Sequence, residues 1–223
     1  MINVVCVFWG NKFSEEYVHK LKSMVERNTS VPHRFVCYSD KKIEGIETKL
    51  LRPGIFGWWN KLQIFDGSLS GRIVYLDLDT VITGNIDWLL NYTGSFAGIE
   101  DLGCVNAHQK HLIGVLQTGV MSFDSARMDW VWTEFMMKQQ WIVPQFRGDG
   151  EYLNSIISKP ALLQRLFPNK IKSYKYQVYP DKIEGTSIVC FHGRPSIEQA
   201  IREPVTTALG TYNPQPWIKD YWK

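Results

Sequence analysis

The chain has 223 residues, of which 44% are hydrophobic and 21% charged, with a formal net charge of +3. That is ordinary globular composition, long enough to bury a core without staples, and it excludes a disordered chain. So small a charge leaves no electrostatic footprint for nucleic acid, and no apolar run reaches membrane-spanning length. One domain is expected. The apolar start, Met1 to Gly10, lacks a basic leader and reads as a first strand rather than a signal peptide. Cys6, Cys37, Cys104 and Cys190 are scattered, three of them in strand-like runs, and no CxxC occurs. Free buried thiols in a reducing, cytoplasmic setting are the expectation.

Asn3 to Trp9 reads as the first strand, closed by a turn at Gly10-Asn11-Lys12. Ser14 can cap a helix with Glu15 and Glu16 in its first turn, and Val18, Leu21, Met24 and Val25 share one face up to about Asn28. Strands follow at Arg34 to Tyr38 and Glu47 to Leu51. Strand, helix and strand in this order open a parallel, nucleotide-binding type of sheet.

Trp58 to Phe65 reads as a short helix with Trp58, Leu62 and Phe65 on its inner face and Lys61 off it, solvated. Ser70-Gly71 then leads into Ile73-Val74-Tyr75-Leu76, a buried strand entered from a turn. Asp77 and Asp79 fall at its C-terminal edge, where open α/β sheets place their ligands. Paired carboxylates there suit a hard divalent cation, although an Asp-x-Asp tripeptide alone is common by chance.

Further on, Trp88 to Leu90 is a helical turn and Ser95 to Ile99 a strand. Asp101 to Gly114 is polar, carries His108 and His111, and reads as a mobile loop over a site. Gln117 to Phe123 is a strand with Gly119 inside it, which signals close approach of a ligand or backbone. Met128, Val131, Trp132, Phe135 and Met136 form a core stripe on the next helix. Gly148-Asp149-Gly150-Glu151 opens another helix, with Tyr152, Leu153, Ile156 and Ile157 inward, where Asp149 is either a cap or a catalytic group. Ser187 to Phe191 is the last strand, ending in His192-Gly193-Arg194-Pro195. A His so placed is either a hydrogen-bonded structural residue or a metal and phosphate contact. Residues 204–223, rich in Pro and aromatics, read as a wrapping arm, with a peripheral membrane or acceptor contact as the alternative.

Five segments resemble, in order, the motifs of GT-A glycosyltransferases, especially family eight and its small relatives. Tyr75-Leu76-Asp77-Leu78-Asp79-Thr80 followed by Gly84-Asn85-Ile86 is similar to the family's DxD segment. Trp59-Asn60-Lys61-Leu62 resembles its Lys-Leu helix and Gln117-Thr118-Gly119-Val120-Met121 its Asn-Ser-Gly-Val-Met strand. Asp149 to Asn154 resembles its Asp-Gln-x-x-Leu-Asn helix start, and Phe191 to Pro195 its His-Gly element. The ordered set is more specific than any member.

The resemblance implies a single-domain α/β GT-A fold, a Rossmann-like, mixed but mostly parallel sheet flanked by helices. It implies a catalytic domain over 1–203, with residues 1–90 as the nucleotide half and 91–203 as the sugar and acceptor half. It implies Mn²⁺ or Mg²⁺ on Asp77, Asp79 and His192, and phosphate or sugar contacts from Lys61 and Arg194. Phe8, Trp9, Gly10 and Asn11, with Tyr17, would hold base and ribose. Gln117 and Asp149 would face the sugar. The implied activity is transfer of a hexose from a nucleoside-diphosphate sugar, UDP first, to a saccharide, protein or lipid hydroxyl.

Three departures bear on this. Gln117 replaces the family's Asn, Gly150 replaces the Gln after its Asp, and the Lys-Pro-Trp after its His is absent. Retention is preferred over inversion, which would need Asp149 or Glu151 as base. Two other classes stay open. Asp77-Leu78-Asp79-Thr80 also fits the DxDxT of haloacid-dehalogenase-type Mg²⁺ phosphatases, with Asp77 as nucleophile. A nucleotide-sugar-binding protein without turnover is the other.

Overall fold

The computed structural model describes residues 1–223, the side chain of Ala107 excepted. Its strands run in chain order as β1 (Ile2–Phe8), β2 (Arg34–Ser39), β3 (Glu47–Leu50), β4 (Arg72–Leu76), β5 (Thr80–Ile82) and β6 (Phe96–Glu100). They continue as β7 (Leu116–Asp124), β8 (Ala161–Leu162), β9 (Ile171–Ser173) and β10 (Ile188–Cys190). The main sheet has the order β3-β2-β1-β4-β7-β6-β8. Neighbours are parallel from β3 to β4, and only β7 runs against both of its neighbours. The mixed, mostly parallel sheet read from the sequence is therefore present.

Its strands are apolar on both faces because helices cover both. Val4, Cys6, Phe8, Val74 and Leu76 enter one core, beside the helix Glu15–Asn28. Val5, Val7, Ile73 and Tyr75 enter the other, beside Trp59, Leu62, Phe135 and Tyr152. This is the two-residue alternation of a strand buried from both sides.

A second, three-stranded sheet, β5-β10-β9, stands at the C-terminal end of β4. The chain turns at Leu78 and Asp79 between β4 and β5, so both aspartates sit at the seam of the two sheets.

Several local expectations are corrected. Gly57–Phe65 is a 3-10 helix, not an α-helix. With three residues per turn, Trp59, Leu62 and Phe65 share its inner face, and Trp58 turns outward. Lys61, expected in solvent, is 8% exposed. The buried face of the next helix carries Val131, Trp132, Phe135 and Ile142. Met136 lies exposed on the main helix, Trp130–Ile142, which a short helix Ser125–Met128 precedes. Ile156 and Ile157, at the end of the helix Asp149–Ile156, pack against the core but are only partly buried. The stretch Asp101 to Gly114 contains two 3-10 segments, Leu102–Val105 and Ala107–Leu112, and His108 and His111 face solvent.

Residues past Glu203 form a hairpin and a short helix laid over the chain. Arg27 Nη1 and Nη2 donate to the carbonyls of Lys223 and Tyr221 at 2.6 and 2.8 Å. Trp222 packs edge-on against Tyr17, with ring centroids 5.0 Å apart. Tyr212, Ile218 and Trp222 are buried.

Candidate functional site

Antiparallel pairing of β4 with β7 sets Leu76 opposite Val120 and carries Asp77 next to Gly119. The Asp77 amide donates to the Gly119 carbonyl at 2.8 Å. A β-carbon at position 119 would stand 3.3 Å from Asp77 Oδ2, so the strand glycine leaves room for this carboxylate. On the other side, β5 pairs with β10 through Thr80 and Cys190, and the Phe191 amide donates to the Asp79 carbonyl at 2.9 Å. Sheet pairing thus brings residues 77–79, 117–119 and 190–192 around one cleft of about 640 Å³.

Lys61 enters that cleft from the 3-10 helix. Its Nζ lies 3.1 Å from Asp77 Oδ1 and 3.3 Å from Asp149 Oδ2. It also donates to Thr118 Oγ1 at 3.2 Å, and Thr118 Oγ1 donates to Asp149 Oδ2 at 2.6 Å. Tyr75 OH donates to Asp77 Oδ1 at 2.5 Å. Burial opposes the charge on Lys61, but Asp149 and Asp77 outweigh it, and its pKa is raised. Asp149, buried at the start of the helix Asp149–Ile156, directs its carboxylate to Lys61 and Thr118. A capping role is therefore not what its side chain performs.

Burial, and then Asp77, push Asp79 up to about 7. A buried carboxylate raised in this way, with a second carboxylate two residues before it in the chain, forms a donor set whose charge a divalent cation would offset. Among the described residues no three His, Cys, Asp or Glu side chains are drawn together as a ready-made cage. His192 lines the same cleft, with its Nε2 2.8 Å from Ser173 Oγ. Burial first, then Lys175, holds His192 down to about 4, so the ring is neutral. The carboxylate pair and a neutral imidazole fit Mn²⁺ or Mg²⁺, with His192 needing to exchange Ser173 for the ion.

The other expected residues divide between the main cleft, a smaller pocket, an open groove and the exposed surface. Gln117 lines the main cleft and donates from Nε2 to Asp101 Oδ2 at 2.7 Å. Glu151 lines it too, but its Oε2 accepts from the Arg147 amide at 2.7 Å, which ties it to its own helix start. Trp9 lines a smaller pocket of about 90 Å³ that adjoins the cleft and shares Lys61, Asp77 and Asp79 with it. Phe8, Gly10, Asn11 and Tyr17 line an open groove beyond it, and Tyr17 is packed between Phe13 and Trp222. Arg194 is exposed and outside the cleft.

Sequence reasoning did not single out Thr118, Tyr75, Ser173, Lys175 or Asp101 as site residues. Thr118 stands beside the strand glycine, Tyr75 opens the Asp-x-Asp segment and Asp101 opens the loop read over a site, while Ser173 and Lys175 carry no such signal. Lys175 donates to the His192 carbonyl at 2.8 Å, and no local pattern announces that contact.

No family model matches the chain, and no curated protein matches it by sequence. Solved structures do match. The galactosyltransferase LgtC, in complex with donor and acceptor sugar analogs, aligns with TM-score 0.62 over 87% of this chain and 88% of its own, at 12% identity. The chain has the GT-A fold. The same GT-A fold is found in the glycosyltransferase GlyE of Streptococcus pneumoniae TIGR4, with TM-score 0.63 and 15% identity over 88% of this chain and 56% of that one. The bifunctional glycosyltransferase WbbM, in its apo form, aligns with TM-score 0.62 at 12% identity, covering 88% of this chain and 46% of that one. The chain therefore spans about half the length of GlyE and WbbM and most of LgtC. No helix is long and apolar enough to cross a membrane.

Proposed function

We propose that the chain is a metal-dependent glycosyltransferase that moves a hexose from a nucleoside diphosphate, UDP first, to an acceptor hydroxyl. The C1–O bond to the diphosphate breaks, a C1–O bond to the acceptor forms, and the acceptor proton is released with the nucleoside diphosphate. The observation that carries this reading is the Lys61–Asp77–Asp149 cluster beside Asp79, on the floor of a cleft in a GT-A fold.

Asp77 and Asp79 are the residues to hold the cation, with His192 as third protein ligand. Bound there, Mn²⁺ or Mg²⁺ supplies Lewis-acid stabilisation of the leaving diphosphate. Lys61 fixes the Asp77 carboxylate and adds positive charge at the same spot. The pocket lined by Trp9 and Lys12 receives the nucleoside side. Asp149 and Gln117 face the transferred sugar from the opposite wall. Retention is favoured over inversion, because Glu151 is tied to the Arg147 amide and Asp149 to Lys61, so neither carboxylate is a free base. The phosphatase reading rested on the spelling around Asp77 and Asp79, and the GT-A fold counts against it.

The test is a panel of UDP-, GDP- and ADP-sugars, scored for nucleotide release with Mn²⁺ and with chelator, beside p-nitrophenyl phosphate. Manganese-dependent release from one donor class is the expected result. Turnover of p-nitrophenyl phosphate with an acyl-phosphate at Asp77, or donor binding without any turnover, would overturn it.

A further inference from the structure

Trp58 is 64% exposed, yet it belongs to the cleft. On a 3-10 helix, residues three apart are eclipsed, so Trp58 sits one turn from Lys61 on the same face. Lys61 reaches the buried floor, and Trp58 is left at the rim. A β-carbon on Gly148 would stand 3.7 Å from Trp58 Cβ and from its ring atom Cε3. The indole therefore leans on the segment that leads to Asp149, on the sugar wall, and its other edge borders the smaller pocket of Trp9 and Lys12. Arg147, Glu151 and Asn154 line the cleft along that wall. An exposed indole face beside planar, hydrogen-bonding side chains matches a pyranose ring, with apolar C–H faces and an equatorial rim of hydroxyls.

We propose that Trp58 is the stacking platform of the acceptor subsite and that the acceptor is a saccharide. This rests on the glycosyl-transfer reading above. The acceptor ring lies over the indole, and its rim hydroxyls meet Arg147 and Asn154. The reactive hydroxyl then points down toward the cluster at Lys61.

The experiment measures UDP release from UDP-glucose and UDP-galactose with Mn²⁺, alone and with lactose or the methyl glycosides of glucose, galactose and N-acetylglucosamine. The full chain is compared with Trp58→Ala, Trp58→Phe and, as a control for an exposed indole elsewhere, Trp141→Ala. One saccharide should accelerate release. Trp58→Ala should raise its KM by about tenfold, the loss of a ring-stacking contact, while the UDP Kd stays within twofold. Trp58→Phe should recover most of the loss, and Trp141→Ala should match the parent. An unchanged acceptor KM in Trp58→Ala, or a tenfold weaker UDP Kd, would overturn the assignment. So would donor release that none of these saccharides accelerates. Absence of release from every donor, with or without saccharide, is the distinct failure of the underlying reading, and this proposal would fall with it.

Discussion

Lys61 Nζ stands 3.1 Å from Asp77 Oδ1, joining the 3-10 helix to the C-terminal end of β4 inside the cleft. A buried cation between two carboxylates is a structural element as much as a functional one. Removing it leaves Asp149, whose side chain is 6% exposed, as a buried charge without its partner. Lys61→Met should cost about 3 kcal/mol of stability, read from urea unfolding. Its UDP affinity at a permissive temperature should fall as well.

Asp149→Asn keeps the shape and lets Thr118 still donate, but it removes the charge paired with Lys61. If this fixed charge stabilises the transition state as proposed, kcat should fall about 100-fold with the nucleotide Kd nearly unchanged. Steady-state kinetics with the active donor check it. Equal losses in both parameters would place Asp149 in nucleotide binding instead.

Gly119→Ala tests the close approach of β7 to the carboxylate. The new methyl would meet Asp77 Oδ2 at 3.3 Å, tighter than a relaxed contact, and Asp77 must shift. Thermal stability should drop modestly, while the shift in Tm produced by Mn²⁺ should be largely lost. A full Mn²⁺ response would show that the position of Asp77 is not critical.

Acid sensitivity should trace in part to Asp87, away from the cleft. Its carboxylate accepts from Thr29 Oγ1 at 2.5 Å, from the Ser30 amide at 2.9 Å and from Ser30 Oγ at 2.7 Å. Hydrogen bonds from Thr29, Asn85 and Ser30 hold its pKa well below the ordinary 3.8. A depressed folded pKa contributes stability that is present above 3.8 and lost as pH falls below it. Asp87→Asn should flatten the Tm profile below about pH 4 and leave its shape near neutrality unchanged.

Much of this was readable beforehand, and the reason is locality. Tyr75 to Asp79 combines a β-branched strand with carboxylates at its end, and Gly119 interrupts an apolar run; both are signals within a few residues. Lys61 was misplaced because α-helical spacing was applied to a segment that winds at three residues per turn. The same error put Trp58 in the core. Ser173 and Lys175 were invisible for a different reason. They reach His192 only because β9 pairs with β10, a contact between segments of unremarkable sequence. Arg194, adjacent to His192 in the chain, was the natural guess for a cation, and the turn after β10 directs it to solvent.

The proposed function requires a cation on Asp77 and Asp79 that brings a nucleoside diphosphate into the cleft. Calorimetric titration of UDP into the chain with Mn²⁺, with chelator, and into Asp79→Ala with Mn²⁺ tests it most directly. The expected result is binding with Mn²⁺ that weakens at least tenfold on chelation and equally in Asp79→Ala. UDP binding of the same strength in all three titrations would contradict it.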